Sequence, residues 1–115
     1  MTVSKSLHIE NKKGLLWVTL PSIIKRDNSL QIQSRIENAL DTTITRVFLD
    51  LSYMSNLYSI TITFIMHIKE VLSNEGFDMC LINVSGHCMK QLKLMKLDSM
   101  LTIYESEKDY ILDKQ

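Results

Sequence analysis

The sequence predicts an α/β domain with the element order ββαβαβαβα. Short β-prone runs alternate with longer segments whose apolar residues recur at intervals of three and four. Residues 47–51 form a run that suits a strand buried on both faces, and a polar turn, a helix and another strand follow it. A strand, a helix and a strand in succession indicate parallel strands joined by a right-handed crossover.

The chain opens with a predicted hairpin of two strands, residues 6–10 and 15–20, joined by a turn at Gly14. Because side chains alternate along a strand, Leu15 and Trp17 are expected on one face of the second strand. Leu16, Val18 and Leu20 are expected on the opposite face.

A loop and a helix follow the hairpin. The helix is predicted near residues 29–40, with Asp27 or Asn28 as its N-cap. The loop contains the adjacent isoleucines Ile23 and Ile24, which either tuck beneath it or contact a partner.

The second helix is predicted from helical spacing of its apolar residues up to Leu72, and Gly76 is expected to terminate it. Residues 58–64 alternate polar and apolar and are rich in β-branched residues, which by propensity would favour a strand. We expect a helix there because the spacing also fits a period of 3.6. The remaining elements are a strand at residues 77–84, a helix at 87–96, a strand at 100–103 and a helix at 105–112.

Length and charge limit the classes of function. The 115 residues suffice for a single domain, residues 1–115, with its own core. Thirteen Lys and Arg balance thirteen Asp and Glu, which argues against nucleic acid or an anionic membrane as the main partner. The N-terminus lacks a signal-peptide pattern and no apolar run approaches the length of a membrane span, so a cytoplasmic protein without membrane insertion is expected.

The sequence contains no pattern typical of an enzyme or a metal site. His8, His67 and His87 are scattered, and no glycine-rich phosphate loop occurs. Cys80 and Cys88 lie in apolar surroundings and are predicted to be buried thiols. We therefore expect no catalysis, no cofactor and no bound metal.

Polar residues cluster where the second helix is predicted to begin. Ser55, Asn56, Ser59, Thr61 and Thr63 lie between the central strand and the body of that helix. Free backbone N–H groups and the helix dipole favour anions such as phosphate at this position. The cluster is therefore either a regulatory site or a well-capped helix start, with Asn56 or Ser59 as the cap.

Three stretches of the chain resemble the STAS domain (sulfate transporter and anti-sigma-factor antagonist), in particular small bacterial anti-sigma-factor antagonists. They are residues 47–52, residues 79–85 and residues 92–106. The last of these stretches resembles the family pattern of a leucine-rich helix, Leu-Asp, a short strand and an acidic helix. The resemblance implies a mixed β-sheet with helices packed mainly on one face, and a non-catalytic protein-binding regulator.

The functional motif departs from the family pattern. Partner-switching members usually carry Asp-Ser-Ser/Thr-Gly at the start of the second helix, and a kinase that doubles as the anti-sigma factor phosphorylates the first hydroxyl. Here Tyr58, Ser59, Ile60 and Thr61 stand in those places. Ser59 aligns with the phosphorylated serine, whereas Tyr58 cannot cap the helix as Asp would, and Thr61 adds a branched side chain in place of glycine.

The resemblance implies a partner that is an anti-sigma factor or a serine-kinase-like protein, with an opposing phosphatase. We expect the chain to be a monomer or a weak dimer. The expected partner surface consists of the turn and the preceding loop: Ile23, Ile24, Asn56, Tyr58, Ser59, Thr61 and Thr63. The alternative is a constitutive subunit of a transport or signalling complex, such as a phospholipid-transport ATPase, which the altered motif favours somewhat. In that alternative Ser59 is not phosphorylated.

Overall fold

A computed structural model describes residues 6–113 and confirms the predicted element order. The elements are β1 (His8–Lys12), β2 (Leu15–Thr19), α1 (Arg26–Ala39), β3 (Arg46–Asp50), α2 (Ser59–Asn74), β4 (Asp78–Ile82), α3 (Gly86–Leu94), β5 (Thr102–Tyr104) and α4 (Glu107–Asp113). Residues 1–5 lie outside the described residues. They contain most of the N-terminal stretch in which no signal-peptide pattern was found.

The five strands form one sheet in the order β1-β2-β3-β4-β5. β1 pairs with β2 in an antiparallel hairpin, and the three other pairs are parallel, as expected for βαβ units. The hairpin turns at Gly14, whose φ of 89° is readily adopted by glycine and rarely by other residues. β3 lies in the middle of the sheet, so residues 46–50 pair on both sides.

The two faces of the sheet are covered unequally. α1, α2 and α3 bury one face, to which β2 contributes Leu16 and Val18. On the other face, Trp17, Phe48, Cys80 and Ile82 form a smaller cluster, against which Tyr104 of β5 and Tyr110 of α4 pack. The predicted split of the β2 side chains between two faces is therefore confirmed, as is the packing of the helices mainly on one side.

The helical interpretation of residues 59–72 is confirmed, since α2 runs from Ser59 to Asn74. Its buried residues, Thr61, Phe64, Ile65, Ile68 and Leu72, lie on one side of the helix. This burial outweighs the β propensity of the individual residues. Gly76, with a φ of 86°, follows the helix end as predicted.

The predicted start of α1 is wrong. The helix begins at Arg26 rather than near residue 29, and its N-cap is Lys25 rather than Asp27 or Asn28. Asn28 lies within the first turn, and its Oδ1 accepts a hydrogen bond of 2.7 Å from the backbone N–H of Lys25. The carboxamide thus reaches back to the cap residue from inside the helix, which extends the helix towards the N-terminus.

Candidate functional site

The candidate site is built on the loop between β3 and α2, residues 51–58. The loop leaves the sheet through a hydrogen bond of 3.0 Å from Leu51 N to Ile82 O and turns back where Met54 N donates to Leu51 O. Met54 and Leu57 point into the main core and are buried. These apolar anchors hold the loop against the domain up to the residue before Tyr58.

No side chain among the described residues caps the start of α2. Tyr58 is the N-cap residue, with an extended backbone, and its side chain makes no hydrogen bond to the helix. Ser59 is the first helical residue and is exposed. The prediction that Asn56 or Ser59 caps the helix is therefore wrong, and the hydroxyl of Ser59 is not explained by a capping role.

The exposed residues around Ser59 are mostly apolar or aromatic. The side chain of Tyr58 is 54% exposed, and those of Ile60 and Thr63 also reach the surface. Thr61 is only 2% exposed and packs inward, so it offers no contact surface to a partner docked on this structure. Sequence reasoning treated Ile60 only as a replacement in the family motif and did not include it in the expected partner surface.

The loop before α1 contributes one of its two isoleucines to the surface. Ile23 is 50% exposed, whereas Ile24 is 1% exposed and belongs to the main core. The interpretation that the pair tucks beneath the loop is therefore confirmed for Ile24, whereas contact of Ile23 with a partner stays a prediction. Ile24 cannot contact a partner in this conformation.

A groove between α1 and α2 continues the exposed surface from Ile60. It encloses about 270 Å³ and is lined by Ser29, Leu30, Gln33, Ile60, Thr63, Phe64 and His67. Leu30, 73% exposed, forms its outer rim, and His67 Nε2 lies 3.1 Å from Gln33 Oε1 across the groove. Sequence reasoning missed Leu30, because an apolar residue on a helix is ordinarily assigned to the core stripe.

The first turns of α3 lie against the loop from the other side. Nε2 of His87 lies 3.2 Å from Oδ1 of Asn56, which is half-buried. The buried thiol of Cys88 donates to Met54 O at 3.7 Å. Asn56 is thus engaged by α3 and is only partly available to a partner.

The site carries no arrangement of side chains typical of metal binding or membrane insertion. Within residues 6–113, no three His, Cys, Asp or Glu residues lie close enough together to hold a metal ion. In the same part of the chain, no helix has both the length and the apolar character needed to cross a bilayer.

A family model of the STAS domain matches residues 6–110 of the 115. The chain belongs to the STAS domain family. Its fold agrees with this assignment, since solved structures with the same architecture cover nearly the whole STAS chain. No curated protein matches it.

Several solved structures are similar to this STAS chain at low sequence identity, and they show its fold. A candidate anti-sigma factor antagonist from Thermotoga maritima has a TM-score of 0.76 at 16% identity, over 93% of this chain and 92% of its own. The Bacillus cell fate determinant SpoIIAA in its phosphorylated form has a TM-score of 0.66 at 15% identity, over 96% and 100%. The murine anion transporter Slc26a9 has a TM-score of 0.69 at 18% identity, over 90% of this chain but only 18% of its own.

Proposed function

We propose that this STAS protein is a non-catalytic, cytoplasmic regulator of the anti-sigma factor antagonist type, and that phosphorylation of Ser59 controls its binding to an anti-sigma factor or serine-kinase-like partner. The observation that carries the proposal is the position of Ser59. It is an exposed serine at the first position of a long helix, next to the exposed side chains of Tyr58 and Ile60. An opposing phosphatase would complete the cycle.

The fold is suited to accept a phosphate at this position. A phosphoserine carries about −1.5 to −2 charges at neutral pH, and the helix N-terminus favours negative charge. The first turn of α2 contains no acidic residue that would repel the phosphate. Phosphorylation is therefore expected to leave the domain folded.

The same charge is unfavourable for a partner that covers the turn. Tyr58 and Ile60 are the apolar contacts nearest to Ser59, and aromatic residues commonly anchor protein interfaces. A partner that buries them would also have to desolvate the phosphate between them. Binding should therefore be strong with unmodified Ser59 and weak with phosphoserine.

The solved relatives support the proposal without deciding it. SpoIIAA has been solved in both a phosphorylated and an unphosphorylated form, and both are similar in fold to this chain. The fold therefore accommodates both states in that relative.

Affinity capture tests the proposal. The baits are the wild-type chain, Ser59→Ala, Ser59→Asp and a form with phosphoserine incorporated at residue 59, and mass spectrometry of the wild-type bait locates any phosphate. We expect one partner to be retained by wild type and Ser59→Ala and lost by the phosphoserine form. Ser55→Asp is the matched control for the added charge, because Ser55 is an exposed serine in the β3–α2 loop and lies before the start of the helix.

Recovery of the same partners by all baits, with no phosphate on Ser59, would overturn the switch. If that common partner were a stable transport complex, the constitutive-subunit alternative would replace it.

A further inference from the structure

Gln91 of α3 makes two hydrogen bonds to the backbone of a single loop residue, Leu57. The N–H of Leu57 donates to Gln91 Oε1 at 2.8 Å, and Gln91 Nε2 donates to Leu57 O at 3.1 Å. Since a carboxamide has one acceptor end and one donor end, only one orientation of the side chain satisfies both bonds. Gln91 thus pairs with Leu57 as a neighbouring strand would.

The pairing lies immediately before the proposed site. Leu57 belongs to the loop and lies next to Tyr58, the N-cap of α2, which is followed by Ser59. The side chain of Leu57 is buried and that of Gln91 is half-buried, so water has limited access to the two bonds. Buried backbone groups left without partners destabilise the conformation that contains them. The direction in which the chain enters α2 therefore depends on Gln91.

The helix that carries Gln91 is itself well fixed. The N-cap Ser85 accepts a hydrogen bond of 3.2 Å from Cys88 N, and the side chains of Cys88 and Leu92 are buried in the main core. We infer that Gln91 is a positioning residue: it holds the turn at Leu57 so that Tyr58 and Ser59 are presented in one conformation. The meaning of this presentation for partner binding rests on the proposed function, but the positioning itself is a property of the chain.

Two substitutions separate the hydrogen bonds from the bulk of the side chain. Gln91→Met keeps a similar length and removes both bonds, whereas Gln91→Glu keeps the acceptor and replaces the donor with a carboxylate. Gln33→Met is the matched control, because Gln33 is also a half-buried helical glutamine but bonds only to the side chains of Glu37 and His67.

Amide hydrogen exchange measured by NMR reports the positioning directly. In Gln91→Met the protection of the Leu57 amide should fall about tenfold, the order expected for one lost hydrogen bond. The protection of the Ile62 amide, which donates the first hydrogen bond of α2 to Tyr58 O, should fall with it. The Leu49 amide in β3 should keep its protection, because the sheet is not altered. Gln33→Met should leave the protection of the Leu57 and Ile62 amides as in the wild type.

Gln91→Glu provides a pH profile that loss of bulk packing would not produce. The ionised carboxylate faces Leu57 O without a proton to donate, which should raise the pKa of the introduced group above the usual value of about 4.3. Repulsion between the carboxylate and Leu57 O should lower the protection of the Leu57 amide at neutral pH, although its N–H keeps an acceptor. On acidification the protonated carboxyl regains one donor, and this protection, corrected for the intrinsic exchange rate, should return. The wild type and Gln91→Met should show no such recovery.

The outcomes distinguish the positioning role from the proposed function. Unchanged protection at Leu57 and Ile62 in Gln91→Met, or no recovery of Gln91→Glu at low pH, would overturn the positioning role and leave the Ser59 switch intact. If the wild-type bait captures no phosphate-sensitive partner, the proposed function fails, while lost protection still supports positioning. If a partner is captured, Gln91→Met should retain at least tenfold less of it than the wild type.

Discussion

The indole Nε1 of Trp17 donates a hydrogen bond of 2.8 Å to Oδ2 of Asp50, and both side chains are buried. The other oxygen of Asp50, Oδ1, accepts a hydrogen bond of 2.9 Å from Ser52 N in the loop that leads to α2. The acid that interrupts the apolar central strand is therefore satisfied on both oxygens. It joins β2 to the first residues of the β3–α2 loop.

Asp50→Ala should destabilise the domain by about 1–3 kcal/mol, because it leaves the buried Trp17 N–H and the Ser52 N–H without their acceptor. The measurement is urea unfolding followed by circular dichroism. Trp17→Phe removes the donor, and in that background Asp50→Ala should cost less than it does alone. Equal costs in the two backgrounds would show that the hydrogen bond does not couple these residues.

Gly14→Ala should destabilise the hairpin for two reasons. Its φ is 89°, which L-residues rarely adopt, and an added Cβ would lie 2.8 Å from the backbone oxygen of Thr43. Gly76→Ala isolates the first reason, since Gly76 has a φ of 86° and open space around it, and should cost roughly 1–2 kcal/mol.

Gly86→Ala is the neutral control for both glycine variants, since Gly86 has neither a positive φ nor a close neighbour, and its change should stay within about 0.5 kcal/mol. Thermal unfolding should therefore rank the losses as Gly14, then Gly76, then Gly86. A Gly14→Ala protein as stable as Gly76→Ala would contradict the contact with Thr43.

Tyr58→Asp should stabilise the domain and weaken the proposed function at the same time. An aspartate at this N-cap can accept a hydrogen bond from the first turn of α2, which is worth about 0.5–2 kcal/mol compared with alanine. Tyr58→Ala is the control, because it removes the aromatic ring without adding a cap. Both variants should lose the captured partner. Tyr58→Asp should nevertheless melt at a higher temperature than Tyr58→Ala, because only the aspartate can cap α2.

Asp41 provides a prediction for pH. Hydrogen bonds from the side chain and then from the backbone N–H of Thr43 hold the pKa of the Asp41 carboxyl below its usual value of 3.8. Because the pKa is lower in the folded state, these bonds contribute stability above the unfolded pKa, and the contribution is lost as the pH falls through the folded pKa.

Thr43→Val removes the hydroxyl and should raise the pKa of Asp41, measured by NMR titration of its carboxyl carbon. Thr42→Val, an exposed neighbour, should leave the titration unchanged. A pKa that does not move in Thr43→Val would show that the hydroxyl does not lower it.

The order of the elements could be predicted from the sequence because burial periodicity is a local property. The spacing of Phe64, Ile65, Ile68 and Leu72 identified α2 in spite of its β-branched residues, and the alternation around Trp17 assigned both faces of β2. The resemblance to the STAS family added the placement of most helices on one face. The position of Ser59 at the start of α2 followed from that resemblance.

The details of the site could not be predicted, because they depend on the path of the chain in three dimensions. Ile23 and Ile24 are chemically equivalent, and only the direction in which the backbone presents each side chain makes one exposed and the other buried. Asparagine is a common N-cap residue, but the backbone of Asn28 is already helical, and its side chain accepts a hydrogen bond from the backbone N–H of Lys25. The pairing of Gln91 with Leu57 joins residues far apart in the chain, and no local pattern indicates it.

The sequential strand order has a consequence for how the molecule acquires its structure. Each strand pairs with the strand that precedes it in the chain, so none has to be inserted between two that are already joined. A chain emerging from the ribosome can therefore extend the sheet one strand at a time, and each addition closes only the loop that contains the intervening helix. The last addition, β5 with α4, covers the aromatic cluster around Phe48. Until β5 and α4 are added, this aromatic face of the sheet has no cover from the rest of the described chain, so these two elements, synthesised after the other strands and helices described, complete the second core.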